Sequence, residues 1–372
     1  MAKLLFVAML VIHGLIHLLG FVKAFGLADV RQLSAPISPA MGILWLAAAM
    51  LLLVAATTRY VAPPWFWIIG AAALVLSQVL IISAWSDARA GTAVNVVLLA
   101  GVVLGFFAYG PGSLRAEYDS AVHSSFEVHV EPRFVDEADL RTLPDPVQRY
   151  LRLTGAVGQP QIDNFRAIWR GRIRATATAP WMPFRAEQYN FFGALPARLF
   201  FMDATMKHIP LDVFHRFLGD AATFRVRLLS AVTMVDAAGP ELTRGETVTL
   251  FNDLCILAPG RLIDPSVEWD AIDSTHARAR YTRGAETISA ELVFDASGAL
   301  IDFVTDDRPG ASADGKTFTP QRWRTPVRDY QRFGAHRAAS VGEARYTPEG
   351  GEFTYIELQL QRVDYNLRSK AR

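Results

Sequence analysis

Four apolar runs, at about 4–22, 41–57, 65–84 and 93–109, fill most of the first 110 residues of a 372-residue chain. Each is long enough for a helix to cross a hydrocarbon layer of ~30 Å. The segments between them hold the charges and the helix breakers: Asp29, Arg31, Pro36 and Pro39, then Arg59, Pro63 and Pro64, then Asp87 and Arg89. Trp65, Trp67, Trp85 and Tyr109 stand at run ends, where amphipathic rings favour a membrane interface. A secretory signal is the rival reading of the first run, because Lys3 precedes it. Three more runs follow, however, and the first is long for a signal segment. Four core helices of a soluble protein would leave almost nothing polar to face water. The expectation is a four-helix transmembrane region over residues 1–110, in a multi-pass protein of the plasma (inner) membrane. The lipid bilayer is then its first partner. Orientation stays open: Lys3, Arg59 and Arg115 lie on one side and Lys23, Arg31 and Arg89 on the other, a tie by the positive-inside count.

Polar residues inside such runs are costly and therefore informative. His13 and His17 are one helical turn apart on one face. Gln78 lies in the third run and Asn95 at the start of the fourth. Two readings stand. The histidine pair could serve a redox or metal protein, binding haem or a metal, or it could line a proton path. Alternatively the four residues hold the helices together by interhelical hydrogen bonds, the simpler account for a pair with no third ligand nearby.

Charge returns after residue 110. Five of the 37 Lys and Arg residues and two of the 36 Asp and Glu residues lie before it, which leaves the remainder at net −2. No basic excess exists for a nucleic acid partner. Cys255, alone, excludes an internal disulfide and a cysteine zinc site. Gly110-Pro-Gly and the charged tract after it predict a linker over 111–140. An antiparallel β-rich domain then occupies 141–372. It opens with a helix in which Asp145 is the N-cap, Pro146 the first helical residue and Gly155 the C′ residue. Val147, Tyr150, Leu151 and Thr154 form its buried stripe.

From residue 160 the dominant period is two. Trp169, Ile173 and Ala175 alternate with Arg170, Arg172 and Arg174. Ile288, Ala290, Leu292 and Phe294 alternate with polar neighbours, as do Ile356, Leu358 and Leu360. About ten half-buried strands are predicted, with turns at Asp295–Gly298 and Pro348–Gly351. Two helices interrupt them. One is short, Leu211 to Leu218. The other opens with a capping box, Thr243-Arg-Gly-Glu246, and continues through Val248, Phe251, Leu254, Cys255 and Ala258 to Pro259-Gly260. The fold class is therefore a four-helix transmembrane region plus an α+β domain, a curved antiparallel sheet wrapping a few helices.

The runs Leu143-Pro-Asp-Pro-Val-Gln-Arg-Tyr-Leu151, Trp181-Met-Pro-Phe-Arg-Ala-Glu-Gln-Tyr189 and Glu246-Thr-Val-Thr-Leu-Phe-Asn-Asp-Leu-Cys-Ile-Leu-Ala-Pro259 resemble an uncharacterised family of bacterial membrane proteins. So do Trp323-Arg-Thr-Pro326 with Tyr330, and Gly351-Glu-Phe-Thr-Tyr355 with Tyr365-Asn366. That family supplies no catalytic residues. In element order the domain is also similar to lipoprotein-carrier (LolA-like) half-barrels. This resemblance implies a sheet that shelters acyl chains.

No nucleotide-binding, serine-hydrolase or zinc-peptidase motif occurs, so no catalytic residue is assigned and an enzyme is not the favoured class. His208, His215, His276 and His336 make no metal spacing. Arg166, Arg170, Arg172 and Arg174 read either as an anion-facing row or as a solvated sheet face paired with acids such as Glu187 or Glu291. Among the acids, Glu246 reads as a capping residue and Asp302, Asp306 and Asp307 as turn-like. Asp264, Glu268 and Asp270 have no histidine at fixed spacing. Asp253, on the polar side of a helix expected to be part buried, is the least explained. Trp181, Met182, Phe184 and Tyr189 form a dense aromatic group. With Phe251, Asn252, Asp253 and Leu254 they make the candidate wall of a pocket for a lipid-like or apolar ligand. The favoured function is a membrane-anchored binding protein. A redox or metal protein using His13 and His17, and a structural partner at the membrane, are the alternatives. No cofactor is assigned beyond that histidine pair.

Overall fold

The computed structural model describes residues 1–126, 131–312 and 314–370. Residues 127–130, in the segment expected as linker, lie outside the described residues, as do 313, 371 and 372 of the expected β domain. The chain divides into two compact units, Met1–Ala116 and Glu117–Arg372.

The first unit holds α1 (Ala2–Ala24), α2 (Pro39–Val61), α3 (Phe66–Ser83), the single turn α4 (Trp85–Ala88) and α5 (Gly91–Tyr109). Four of these helices are long and apolar enough to cross a membrane. Ser38 starts α2: its hydroxyl accepts from the Met41 amide at 3.3 Å, and Pro39 follows in the first turn. Small residues let the helices approach closely. Ala48, Ala49, Ala55 and Ala56 are buried along α2. At Gly20 a Cβ would lie 2.2 Å from the Trp45 ring, so only glycine fits. The polarity of this unit is inverted relative to a water-soluble bundle. Ile12, Leu15, Ile43, Val75, Ile82 and Val96 point outward, while His13, His17, Ser77 and Asn95 are buried.

The second unit begins within α6 (Leu114–Ser124) and continues through α7 (Asp145–Thr154). The segment 111–140 is more than a connector. It contains α6, and Val135 and Leu140 sit in the core of the second unit. In α7 Asp145 is the first helical residue, one place later than expected of the cap, and Gly155 takes the left-handed backbone at φ 72°. Val147, Tyr150, Leu151 and Thr154 are all fully buried. The Tyr150 hydroxyl donates to the Cys255 carbonyl at 2.8 Å.

Six strands then form a meander: β1 (Asn164–Ile173), β2 (Met182–Phe191), β3 (Ala197–Met206), β4 (Ile209–Leu218), β5 (Ala221–Leu228) and β6 (Val232–Ala238). After α8 (Pro240–Leu257) come β7 (Val267–Ala271), β8 (His276–Arg283), β9 (Glu286–Phe294) and β10 (Leu300–Thr305). A small separate hairpin, β11 (Gly310–Ala311) with β12 (Phe318–Thr319), precedes β13 (Arg322–Arg324), β14 (Val327–Phe333), β15 (His336–Thr347) and β16 (Phe353–Tyr365). Fourteen strands share one antiparallel sheet in the order β6-β5-β4-β3-β2-β1-β16-β15-β13-β10-β9-β8-β7, with β14 also on β15. Helix α8 connects the two edge strands. It touches β4, β5 and β6 on one half and β9 and β15 on the other. A helix in contact with both halves lies in a concave face, so the sheet curves around it.

Three local expectations are corrected. The sheet has more strands than the ten expected, because several are short. Leu211 to Leu218 is strand β4, not a helix. Leu211, Val213, His215 and Phe217 face inward, while Phe214 on the outer face lies 5.6 Å from the Tyr118 ring of α6. Outward Phe214 and Leu218 stand among outward Asp212 and Arg216, so the polar alternation that marks a strand is only partial. Finally, α8 starts at Pro240, a turn before the capping box. Proline favours the first turn of a helix. Thr243 therefore lies inside the helix, where its hydroxyl accepts from the Ala222 amide at 3.2 Å. Glu246 is free for another task.

Candidate functional site

The inner face of the sheet against α8 carries an unusual charge content for a core. Alternation on β2 places Gln188 and Asn190 on the same inward face as Phe184 and Ala186. On β3 it places Arg198 with Phe200 and Met202. Opposite them α8 presents Glu246, Thr249, Asn252 and Asp253, positions one helical turn or less apart. The Arg198 guanidinium joins the two helical carboxylates: Nη1 lies 3.1 Å from Glu246 Oε2 and Nε 2.6 Å from Asp253 Oδ2. Gln188 Nε2 and Asn190 Nδ2 donate to that same Asp253 oxygen, at 2.6 and 3.2 Å. Asp253 is thus explained by three donors on β2 and β3.

Glu246 is 1% exposed and is held by groups from two further directions. His215 Nδ1 lies 3.3 Å from its Oε1, without the alignment of a hydrogen bond. Arg308 Nη2 lies 3.7 Å from the same oxygen. Burial alone would raise the Glu246 pKa, but His215, Arg198 and Arg308 outweigh it and hold the carboxyl well below the usual range. Burial pushes the His215 ring below its ordinary pKa, against the pull of Glu246. Arg308 also donates to the Thr249 hydroxyl at 3.0 Å and to the Tyr346 hydroxyl, and sits 4.9 Å over the Trp323 ring. With the imidazole neutral, two guanidiniums balance two carboxylates. The cluster as a whole is neutral, as a buried one must be.

Beside this cluster, between α8 and strands β1, β13, β15 and β16, lies a cavity of about 110 Å³. Trp169, Phe200, Trp323, Val341, Ile356 and Leu358 give it apolar walls, and Asn252, Asp253 and Thr325 a polar one. Asn252 Nδ2 donates to Thr325 Oγ1 at 2.6 Å. Among the described residues no side chain donates to Asp253 Oδ1. The cavity therefore combines aromatic and aliphatic surface with one unengaged acceptor edge, a pattern suited to an apolar group with a small polar end.

Of the eight residues expected to form a pocket wall, Asn252 and Asp253 line this cavity. The helical rotation of ~100° per residue turns Phe251 and Leu254 elsewhere: Phe251 stacks on Tyr281 at 4.8 Å, and Leu254 is core. Phe184 packs over Gly171, where a Cβ would come within 2.5 Å of its ring. Met182 lies at the edge of the core. Tyr189 points to the opposite face of the sheet and stacks on Phe191 at 6.2 Å. Trp181 stands at the β1–β2 turn, 4.6 and 4.4 Å from the guanidiniums of Arg172 and Arg174. The arginine row is mostly paired: Arg166 with Glu187 at 2.7 Å and Arg172 with Glu357 at 2.7 Å, while Arg174 donates to the Thr354 carbonyl at 2.8 Å. Glu291 pairs with Arg278 instead, at 3.8 Å. The remaining acids of interest belong to ion pairs, Asp302 with Arg324, Asp307 with Arg244 and Asp264 with Arg261 among them. Sequence reasoning missed Arg198, Gln188, Asn190 and Arg308, and weighed His215 only as a metal ligand. The available signal was Arg198, a lone charge on an otherwise apolar inward stripe.

In the first unit the polar residues join three helices. His13 Nε2 lies 3.2 Å from both Ser77 Oγ and Asn95 Oδ1. Asn95 Nδ2 donates to Gln78 Oε1 at 3.0 Å, and Gln78 Nε2 to Thr92 Oγ1 at 3.2 Å. His17 Nδ1 donates to the His13 carbonyl at 3.0 Å. The two rings meet edge to face, centroids 4.7 Å apart. Among the described residues no three His, Cys, Asp or Glu side chains converge as a metal-binding group.

Residues 133–358 match the model of a family of unknown function, DUF6544, and the chain belongs to that family. No curated protein matches it. Among solved structures the chain is similar to a DUF1329 family protein from Desulfovibrio piger, with 11% identity and a TM-score of 0.36 over 61% of this chain and 95% of that one. It is also similar to a LolA superfamily protein from Nitrosomonas europaea, with 9% identity and a TM-score of 0.32 over 59% and 93%. Likenesses this distant leave the fold to be read from the strands themselves.

Proposed function

We propose that this member of the DUF6544 family is a membrane-anchored binding protein. Its four apolar helices span the plasma (inner) membrane, and its β domain holds a lipid-like or apolar ligand between α8 and the sheet. The anchor is supported by the inverted polarity of the first unit: a surface of Ile, Leu and Val with histidine and asparagine inside is stable only in an apolar solvent. His13 and Asn95 then serve as interhelical links.

The observation that carries the ligand reading is the cavity walled by Trp169, Phe200 and Trp323 beside Asp253. At about 110 Å³ it has room for several water-sized groups. It accepts the end of an apolar chain, with the half-buried Val341, Tyr355 and Leu358 at its edge. Mass spectrometry of the full chain released from detergent micelles tests this, beside an Ala344→Phe variant whose ring fills the cavity. A bound apolar molecule on the wild type, absent from a variant that still melts cooperatively, is the expected result. A wild type with no adduct, or a variant that keeps it, would refute the reading.

A further inference from the structure

Three neighbouring hairpins, β1–β2, β3–β4 and β5–β6, turn at the same end of the meander, and their composition differs from the rest of the surface. The β3–β4 turn is Lys207-His208, between the paired Met206 and Ile209. The β5–β6 turn starts with Leu229-Ser230. All four turn residues have positive φ, 48° and 71° in the first turn and 52° and 59° in the second. Asn and Gly take that backbone with little strain, whereas a bulky leucine does not. A leucine held there is kept for what its side chain does, and Leu229 is exposed, as are its neighbours Ile209, Val232 and Met234. Cation-bearing and interfacial residues accompany them. Trp181 and Arg174 stand at the β1–β2 turn, and Lys207 is exposed. Neither 174–181, 204–211 nor 228–235 contains an Asp or Glu.

The chain arrives at these strands directly from its last apolar helix. Tyr109 ends α5, and eight residues later Glu117 meets Arg225 of β5, with Tyr118 against Phe201 of β3 and Phe214 of β4. Eight residues reach at most about 28 Å even when fully extended. From Arg225 to Leu229 the strand rises only ~13 Å.

We infer that these hairpin tips enter the headgroup layer of the bilayer that anchors the chain, with Leu229, Val232 and Met234 at the acyl boundary and Lys207 and Arg174 against anionic lipid. Aliphatic side chains with Trp and cations are the composition that favours an interface, and tethering makes the encounter intramolecular. This rests on the anchored reading above, so the test reports on both. The 372-residue chain is reconstituted in phosphatidylcholine vesicles containing about one phosphatidylglycerol in four. Single cysteines replace Leu229, Leu195 or Val96 and carry an environment-sensitive fluorophore. The native Cys255 is fully buried and stays unlabelled. Leu195 is an exposed apolar residue at the opposite, β2–β3 end of the same strands, and Val96 faces outward on α5. With lipids brominated on their acyl chains, the Val96 and Leu229 labels should both be quenched, several-fold more than the Leu195 label. Adding Lys207→Glu to the Leu229 variant should reduce its quenching. A quenched Val96 label with a Leu229 label as water-accessible as that at Leu195 overturns the inference and leaves the anchor intact. An unquenched Val96 label overturns the anchor and the inference together. Quenching at Leu229 that Lys207→Glu leaves unchanged removes the anionic contact from the proposal.

Discussion

Replacing Arg198 by methionine keeps most of the side-chain volume and removes the charge that joins Glu246 to Asp253. The guanidinium is 9% exposed and its contacts to the two carboxylates are 3.1 and 2.6 Å. Without it, Asp253 keeps only the amides of Gln188 and Asn190. Glu246 keeps Arg308 at 3.7 Å and a neutral imidazole. Breaking a buried ion pair from one side destabilises by roughly 3–5 kcal/mol, because the remaining charge is left desolvated. A loss of about 4 kcal/mol corresponds to a fall of roughly 8–16 °C in the melting temperature of a domain near this size. The assay is thermal unfolding of the full chain in detergent, followed by near-ultraviolet circular dichroism, which reports on the aromatic packing around α8. The triple variant Arg198→Met, Glu246→Gln, Asp253→Asn removes the stranded charges as well. It should recover most of the loss, since the three sites are coupled. A single variant within about 1 kcal/mol of wild type, the range of an exposed pair, would refute the reasoning. So would a triple variant as unstable as the sum of its parts.

Other expectations follow from the same contacts. The lowered His215 pKa means that the unfolded chain binds a proton near pH 6.5 before the folded one does, so this contribution is lost as pH falls below about 6.5. His215→Phe should flatten that part of a stability–pH curve, leaving the portion due to the similarly shifted His336. Glu246, held low in the fold, gives stability that is present above about pH 4.5 and lost below it. Arg198→Met should shrink that acid limb in the same titration. Asn95→Leu breaks the links to His13, Ser77 and Gln78. It should weaken the helical unit by roughly 0.6–1.7 kcal/mol, measured by unfolding in mixed micelles. Gly171→Ala would set a Cβ 2.1 Å from the Glu357 carbonyl oxygen. It should cost roughly 1–3 kcal/mol, as overpacking does, and a variant with unchanged melting would contradict the close approach of β1 and β16.

The helical unit was legible because long apolar runs have no other stable use, and α7 because its stripe, proline and glycine agree. The failures have physical causes. At β4 the outward positions are Asp212, Phe214, Arg216 and Leu218; Phe214, covered by the Tyr118 ring, and Leu218 interrupt the polar alternation there and blur the strand period. At α8 the local match Thr243-x-x-Glu246 was genuine as a pattern, but Pro240 starts the helix earlier and tertiary partners claim both residues. Asp253 looked unexplained because its partners Gln188, Asn190 and Arg198 come from strands that no local window reaches. Tyr189 was grouped with Phe184 by proximity in sequence, although an odd spacing along a strand sends two residues to opposite faces.

The pairing of β1 with β16 has a kinetic consequence. Phe165 lies opposite Tyr365 and Trp169 opposite Leu360, so the middle of the sheet joins segments about 200 residues apart in the chain. The first six strands can assemble as a meander of short loops, and β7 to β10 as another. Until β16 emerges from the ribosome, β1 presents a raw edge at what will become the centre of the sheet, open to any passing strand. Contacts of such long range slow folding, because loop closure precedes their reward. The strand whose synthesis comes after all the others is the one that turns two half-sheets into a single domain.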